Sequence, residues 1–170
     1  MNIQSTRCAP VIGLAGFSNT GKTTFLVKLI AELKERGYRV GVVKHTHHYV
    51  ELDQPEKDTW RHTQAGAEVV VLATPDGVSL VRKYESEPGP DAVISMISGV
   101  DIILVEGYKR GKWPKIEVYR NDVSERPNVP EDELLAVVSN VPIYSKAPLF
   151  EPEDAKGVAD LIENFVLKTN

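Results

Sequence analysis

Hydrophobic positions along the chain predict strands and helices in alternation. Short apolar runs between polar residues are typical of buried strands, and apolar residues three and four apart are typical of one helix face. The predicted strands are residues 11–15, 39–44, 69–73, 78–84, 101–106, 115–119 and 134–138. The predicted helices are residues 25–37, 56–67, a segment of about ten residues after the Pro- and Gly-rich stretch 86–91, and 154–167. This alternation is typical of an α/β fold with a mostly parallel sheet.

Two features modify that picture. Residues 69–73 and 78–84 flank the turn sequence Pro75-Asp76-Gly77, so an inserted antiparallel β-hairpin is predicted at about 69–84. Because a hairpin pairs antiparallel, we expect a mixed sheet. The alternation of polar and apolar residues in 115–119 predicts an edge strand.

Composition and charge narrow the class of protein. The 170 residues are 42% hydrophobic and 26% charged, ordinary values that predict a single domain over residues 1–170. A net charge of −4 argues against the concentrated basic face of a nucleic-acid-binding protein. The one cysteine, Cys8, excludes an intramolecular disulfide and fits a reducing compartment. No apolar stretch reaches the roughly 20 residues of a membrane span, and no signal-like apolar core is present. We therefore expect a cytoplasmic protein.

A phosphate-binding loop follows the first predicted strand. Residues 16–24 read Gly-Phe-Ser-Asn-Thr-Gly-Lys-Thr-Thr, a full match to G-x-x-x-x-G-K-[ST]. A strand precedes this loop and a helix follows it, the context in which backbone N–H groups and a helix N-terminus surround phosphates. The sequence therefore predicts a P-loop NTPase of three layers.

Residue types within the loop indicate their roles. Gly16 and Gly21 permit close approach of phosphate, Lys22 can reach the β- and γ-phosphates, and the Thr23 hydroxyl can bind Mg²⁺. The remaining predicted nucleotide-binding positions of the loop are Ser18, Asn19, Thr20 and Thr24.

A carboxylate on a neighbouring strand is expected to complete the magnesium site. The strand at 101–106 offers Asp101 and Glu106, one at each end. Ligands bind at the carboxyl ends of parallel strands, which favours Glu106. Asp53 is a further predicted magnesium and catalytic residue. A stabilising position near a helix start is the alternative for Asp53 and Asp58, and for Asp58 it explains the residue equally well. The predicted catalytic residues are Lys22, Asp53 and Glu106, and the predicted metal ligands are Thr23, Glu106 and Asp53.

Three histidines follow the second predicted strand, in Lys-His-Thr-His-His from 44 to 48. Three interpretations of His45, His47 and His48 stay open. These histidines form a nucleotide-responsive switch loop, a transition-metal site, or solvated surface.

Several motifs occur together across residues 11–141. They are the loop at 16–24, Lys-His-Thr-His-His at 44–48, Asp-Gln-Pro-Glu-Lys-Asp at 53–58, Ala-Gly-Ala at 65–67 and Leu-Val-Glu-Gly-Tyr-Lys at 104–109. In order and spacing they resemble the molybdopterin-guanine dinucleotide biosynthesis protein B family, often called MobB.

The resemblance implies a GTP-binding protein with slow GTPase activity, Mg²⁺ bound with GTP, and a partner guanylyltransferase that attaches GMP to molybdopterin. Whether molybdopterin also binds this chain stays open. The resemblance further implies a homodimer, for which the hairpin is the candidate interface. The residues themselves do not specify guanine. Ser139 and Asn140 follow the strand at 134–138 and are the predicted base contacts because of that strand-end position.

Two other functions compete with the accessory GTPase. A small-molecule kinase would need a basic lid, for which Lys109-Arg110 and Lys112 are the nearest candidates. A metal-delivery GTPase would use the three histidines. A degenerate loop that serves only as scaffold is the remaining alternative.

Overall fold

The computed structural model describes residues 9–108, 110–143 and 145–167. Cys8 and Lys109, which carry the compartment argument and part of the kinase alternative, lie outside these ranges. The elements in chain order are β1 (Val11–Ala15), α1 (Lys22–Glu35), β2 (Val40–Lys44), α2 (Asp58–Gln64), β3 (Val69–Thr74), β4 (Gly77–Arg82), α3 (Pro90–Ile94), β5 (Ile102–Glu106), β6 (Lys115–Tyr119), β7 (Leu134–Ser139), β8 (Leu149–Phe150) and α4 (Ala155–Ile162).

The chain divides into two compact units. The core unit contains the described residues up to His45 and from Pro90 onward, and the insertion unit is Thr46–Gly89.

A six-stranded sheet forms the centre of the core unit, with the order β2-β5-β1-β6-β7-β8. All of its paired strands run parallel, so their carboxyl ends meet at one edge. The P-loop follows β1 at that edge. The predicted mostly parallel α/β fold is confirmed.

Successive side chains of a strand point to opposite faces of the sheet, and apolar residues cover both faces of this one. On one face Ile12 and Leu14 of β1 pack in a core with α1 and α4, whose Leu29 and Ile162 are fully buried. On the other face Ile103 and Val105 of β5 are buried in a second cluster with residues of α3. Packing on both faces of the sheet explains why β1 and β5 are continuous apolar runs.

Four details of the structure differ from the sequence predictions. The hairpin forms a sheet of its own, so the expected mixed sheet is wrong. β6 lies between β1 and β7 rather than at an edge, with all of its residues buried. The predicted ten-residue helix after the 86–91 stretch is only five residues long, as α3. The predicted last helix ends at Ile162 and continues as a π-helix over Glu163–Leu167.

The insertion unit contains α2 and the antiparallel hairpin of β3 and β4. Strand pairing places Val71 opposite Leu80 and Ala73 opposite Val78, on one face of the hairpin. Val70, on the other face, is buried, and α2 packs against β3. The face that carries Val70 is thus partly covered within the unit, since Leu72 on that face is half exposed, and the other face is apolar and exposed.

Within the described ranges, no helix has both the length and the apolar character that crossing a membrane requires.

Candidate functional site

The P-loop has a backbone that only glycine adopts readily at two of its positions. Gly16 has a φ of 132°, and a Cβ there would overlap the carbonyl oxygen of Val118. Gly21 has a φ of 93° and immediately precedes α1. Asn19, with a φ of 65°, lies in the left-handed region that Asn tolerates better than most residues. The turn therefore leads directly to α1, which begins at Lys22.

Two side chains of the loop donate hydrogen bonds to one of its backbone carbonyl groups. The Lys22 Nζ donates to the Phe17 carbonyl oxygen at 2.6 Å, and the Thr20 hydroxyl donates to the same oxygen at 3.0 Å. Thr20 is buried, whereas Ser18, Asn19 and Thr24 are exposed. The Phe17 carbonyl oxygen thus holds the Lys22 ammonium against the loop.

Thr23 and Glu106 meet beside the loop. The Thr23 Oγ1 donates to the two carboxylate oxygens of Glu106 at 3.1 and 3.2 Å. Glu106 ends β5, opposite Leu14 of the P-loop strand in the parallel register. Its side chain is only 6% exposed. The structure therefore brings together two of the three predicted metal ligands.

Lys44 contacts the same carboxylate. It ends β2, directly opposite Glu106, and its Nζ forms an ion pair with Glu106 Oε1. Sequence reasoning named Lys44 only as part of a motif and assigned it no role in the site. The signal that was available is its position at a strand end, since parallel strand ends converge on one edge of the sheet.

Asp101, which the sequence disfavoured as a magnesium ligand, lies at the other end of β5 and has a structural role. Its oxygens accept from the Arg39 backbone N–H and guanidinium, with an Nη2–Oδ1 distance of 2.7 Å. Hydrogen bonds from the Arg39 side chain and backbone lower the pKa of Asp101 to about 2. Asp101 ties the amino ends of β2 and β5 together.

A stacked pair holds the carboxyl ends of the same two strands. The rings of His45 and Tyr108 lie 4.0 Å apart with an angle of 19° between their planes. The His45 N–H donates to the Glu106 carbonyl oxygen at 2.8 Å. Gly107 lies between these groups, and a Cβ there would come within 2.6 Å of the His45 carbonyl oxygen. These contacts fix the backbone immediately after Lys44 and Glu106.

Ser139 and Asn140 lie at the carboxyl edge of the sheet, after β7. Ser139 is buried and its hydroxyl accepts from the Val141 N–H at 3.1 Å, whereas Asn140 is exposed. On the neighbouring β6, the carboxylate of Glu117 accepts from the N–H groups of Asn128 and Val129 at 2.6 and 3.0 Å. Burial raises the pKa of Glu117 against the effect of these two hydrogen bonds. The base-contact role of Ser139 and Asn140 stays a prediction.

Asp53 belongs to the insertion unit. Its Oδ1 accepts from the Gln54 N–H at 2.8 Å. Its Oδ2 is buried and has no hydrogen-bond partner among the described residues. Asp53 and Trp60 are among the residues that line a cavity of about 110 Å³. The proposed metal and catalytic role of Asp53 stays a prediction. Asp58 occupies the first turn of α2, which agrees with its interpretation as a helix-start residue.

The remaining sequence candidates lie on loops. His47 and His48 are exposed in the insertion unit, and their metal-binding interpretation stays a prediction. Gly111, in the basic segment that the kinase alternative needs, is buried against Trp113, and its N–H donates to the Tyr108 carbonyl oxygen at 2.8 Å. Gly111 is therefore fixed by packing, whereas Arg110 and Lys112 on either side of it are exposed.

Known proteins are similar to this chain in sequence. A family model described as molybdopterin guanine dinucleotide synthesis protein B matches residues 11–140. The chain belongs to the MobB family. It is 36% identical to the molybdopterin-guanine dinucleotide biosynthesis adapter protein of Escherichia coli (strain K12), with 95% of each chain covered. It is 34% identical to the adapter protein of Haemophilus influenzae, with 92% of this chain and 89% of that protein covered.

Solved MobB structures have the same fold. The structure of Bacillus subtilis MobB superimposes with a TM-score of 0.71 at 24% identity and covers 91% of this chain and 96% of its own. A second structure, described as molybdopterin-guanine biosynthesis protein B, gives 0.72 at 25% identity and covers 92% of this chain and 98% of its own. The predicted family resemblance is confirmed.

Proposed function

We propose that this MobB-family protein binds GTP with Mg²⁺ and assists a guanylyltransferase that attaches GMP to molybdopterin. The observation that carries the proposal is the convergence of Thr23 and Glu106 beside a complete P-loop. The identity of the reaction is supported by relatives named molybdopterin-guanine dinucleotide biosynthesis adapter proteins.

The phosphates bind at the loop in this proposal. Backbone N–H groups of the turn and the N-terminus of α1 favour an anion there, since both present positive charge. The Lys22 ammonium, already within 2.6 Å of the turn's Phe17 carbonyl oxygen, is placed to exchange that oxygen for phosphate oxygens. Ser139 and Asn140 are the proposed contacts of the base, at the same edge of the sheet.

The donor set of Thr23 and Glu106 fits Mg²⁺. This cation prefers oxygen ligands, and the hydroxyl and carboxylate oxygens lie 3.1 Å apart on two rigid elements. When bound, Mg²⁺ would supply charge neutralisation to the phosphate chain. Asp53 remains the third proposed ligand on the basis of sequence alone.

Hydrolysis by this site is proposed to be slow. None of the residues assigned to the site is a glutamine that could orient water or an arginine finger, the groups that make phosphoryl transfer to water fast. We expect phosphate release far below the about 1–100 per second of typical kinases.

A homodimer completes the proposal, joined through the hairpin of the insertion unit. The exposed fractions of Val71, Val78 and Leu80 on one hairpin face are 53%, 72% and 52%. An isolated two-stranded sheet is marginally stable, and an exposed apolar face of this kind is typical of an interface. We propose that a second copy of the chain covers this face.

Reconstitution of the transferase reaction tests the proposed function. Purified guanylyltransferase, molybdopterin and GTP are combined with wild-type protein, with Lys22→Ala, or with Lys34→Ala as a control at the far end of α1. We expect wild type and Lys34→Ala to increase dinucleotide formation and Lys22→Ala to add little. Equal assistance by Lys22→Ala would show that the loop is only a scaffold and would contradict the proposal.

A further inference from the structure

We propose that Lys44 reads the terminal phosphate of the bound nucleotide and so makes the site prefer a triphosphate over a diphosphate. The inference rests on the proposed function, because it assumes that the P-loop binds a guanine nucleotide. It assigns a specificity-determining role to a residue outside the loop motif.

The position of Lys44 is set by the core sheet. Lys44 pairs in register with Glu106, which in turn pairs with Leu14 of the P-loop strand, so the three strand ends lie abreast. The next residue, His45, is fixed by its hydrogen bond to the Glu106 carbonyl oxygen and by its stack on Tyr108. The backbone that carries the Lys44 ammonium is therefore firmly placed.

The ammonium lies at the end of the site where a terminal phosphate belongs. It contacts the Glu106 carboxylate, and Thr23 donates to that same carboxylate at 3.1 and 3.2 Å. In P-loop proteins the residue type at Thr23 and the facing carboxylate lie beside the β- and γ-phosphates rather than beside the base. A group that shares their carboxylate is thus near the γ-phosphate.

The exposure of the Lys44 side chain and its number of hydrogen-bond donors both allow a contact with the terminal phosphate. The Lys44 side chain is 59% exposed, in contrast to 6% for Glu106, so the lysine has room to turn toward a ligand while the carboxylate does not. An ammonium has three donors, and the ion pair with Glu106 leaves others for phosphate oxygens. A second lysine charge besides Lys22 favours the more highly charged triphosphate over the diphosphate.

Calorimetric titration of GTP and GDP, each with Mg²⁺, tests this assignment. The proteins are wild type, Lys44→Gln, Lys44→Arg and Lys34→Gln. Lys34→Gln is a matched control, since it removes the same charge from the last turn of α1, roughly 18 Å along the helix from Lys22. Because Lys44 is largely exposed, thermal unfolding should confirm that all four proteins are folded.

We expect Lys44→Gln to weaken GTP binding at least about tenfold and GDP binding less than about twofold. Lys44→Arg should keep most of the preference for GTP, and Lys34→Gln should match wild type. A wild type that prefers GTP, together with an unchanged GTP-to-GDP ratio in Lys44→Gln, would overturn this inference and leave the proposed function intact. Absence of binding of both nucleotides to wild type would overturn the proposed function and the inference with it.

Discussion

The two carboxylates of β5 have opposite environments although they are only five positions apart in the chain. Glu106 is nearly buried and accepts from a hydroxyl and an ammonium of two different elements. A buried carboxylate is costly unless it is paired, and these two partners offset that cost. Asp101 is partly exposed and forms an ion pair with Arg39. One strand thus carries a functional carboxylate at one end and a structural carboxylate at the other.

Replacement of Asp101 should show its structural role as a pH-dependent loss of stability. The pKa of Asp101 is about 2 in the folded protein, below its ordinary value of 3.8, so the ionised form stabilises the fold. This stabilisation is present above about pH 4 and is lost as the pH falls through about 2. We expect Asp101→Asn to lower the free energy of unfolding by at most about 1 kcal/mol at pH 7, since the Arg39 side chain is 62% exposed and solvent screens the pair.

Urea unfolding between pH 7 and pH 3 measures this difference. The gap between wild type and Asp101→Asn should narrow below pH 4. Arg39→Gln is the partner control and should lose a similar amount, with little further loss in the double variant. A gap that stays constant down to pH 3 would contradict the ion-pair explanation.

At the scale of elements, β6 shows why a local pattern was misleading. Lys115 and Glu117 alternate with apolar residues, which is typical of a strand with one solvated face. Both are buried in the structure, where Lys115 pairs with Glu133 and donates to the Gly111 carbonyl oxygen at 2.8 Å. Glu133 lies 18 positions from Lys115 in the chain. The N–H groups that donate to Glu117 belong to residues 11 and 12 positions away. Strand position in the sheet therefore depended on contacts that no local window contains.

The hairpin was predicted correctly because its turn chemistry is local. Asp76-Gly77 between β-rich runs is enough to predict a reversal of the chain, and β3 and β4 pair about it. What the pattern does not contain is whether the hairpin joins the central sheet, since that depends on which edge of the sheet is available.

A charge on the exposed hairpin face should break the proposed dimer. We expect Leu80→Asp to sediment as a monomer, because a carboxylate would be buried without a partner in the interface. Ser79→Asp adds the same charge to the next position, which faces the other side of the hairpin, and should leave the dimer intact. Analytical ultracentrifugation of wild type and both variants makes the comparison. An unchanged profile for Leu80→Asp, or a monomeric wild type, would contradict the proposed interface.

For the whole molecule, the sequence sufficed for the fold class, the family and the pairing of Thr23 with Glu106. These follow from a contiguous motif and from the rule that ligands bind at the carboxyl ends of parallel strands. The contact of Lys44 with Glu106 required the strand order, which places β5 between β1 and β2. The environment of Asp53 required the insertion unit, whose cavity is formed by residues from α2, the hairpin and the segment before α2.

The proposed function depends on binding of GTP by the P-loop. Calorimetric titration of GTP and ATP, each with Mg²⁺, into wild type and Lys22→Ala measures this binding. Lys34→Ala serves as the control for loss of one lysine charge from the same helix. We predict binding of GTP in preference to ATP by wild type and Lys34→Ala, and loss of that binding in Lys22→Ala. Equal or stronger binding of ATP, or GTP binding that Lys22→Ala does not weaken, would contradict specific binding of GTP at the P-loop.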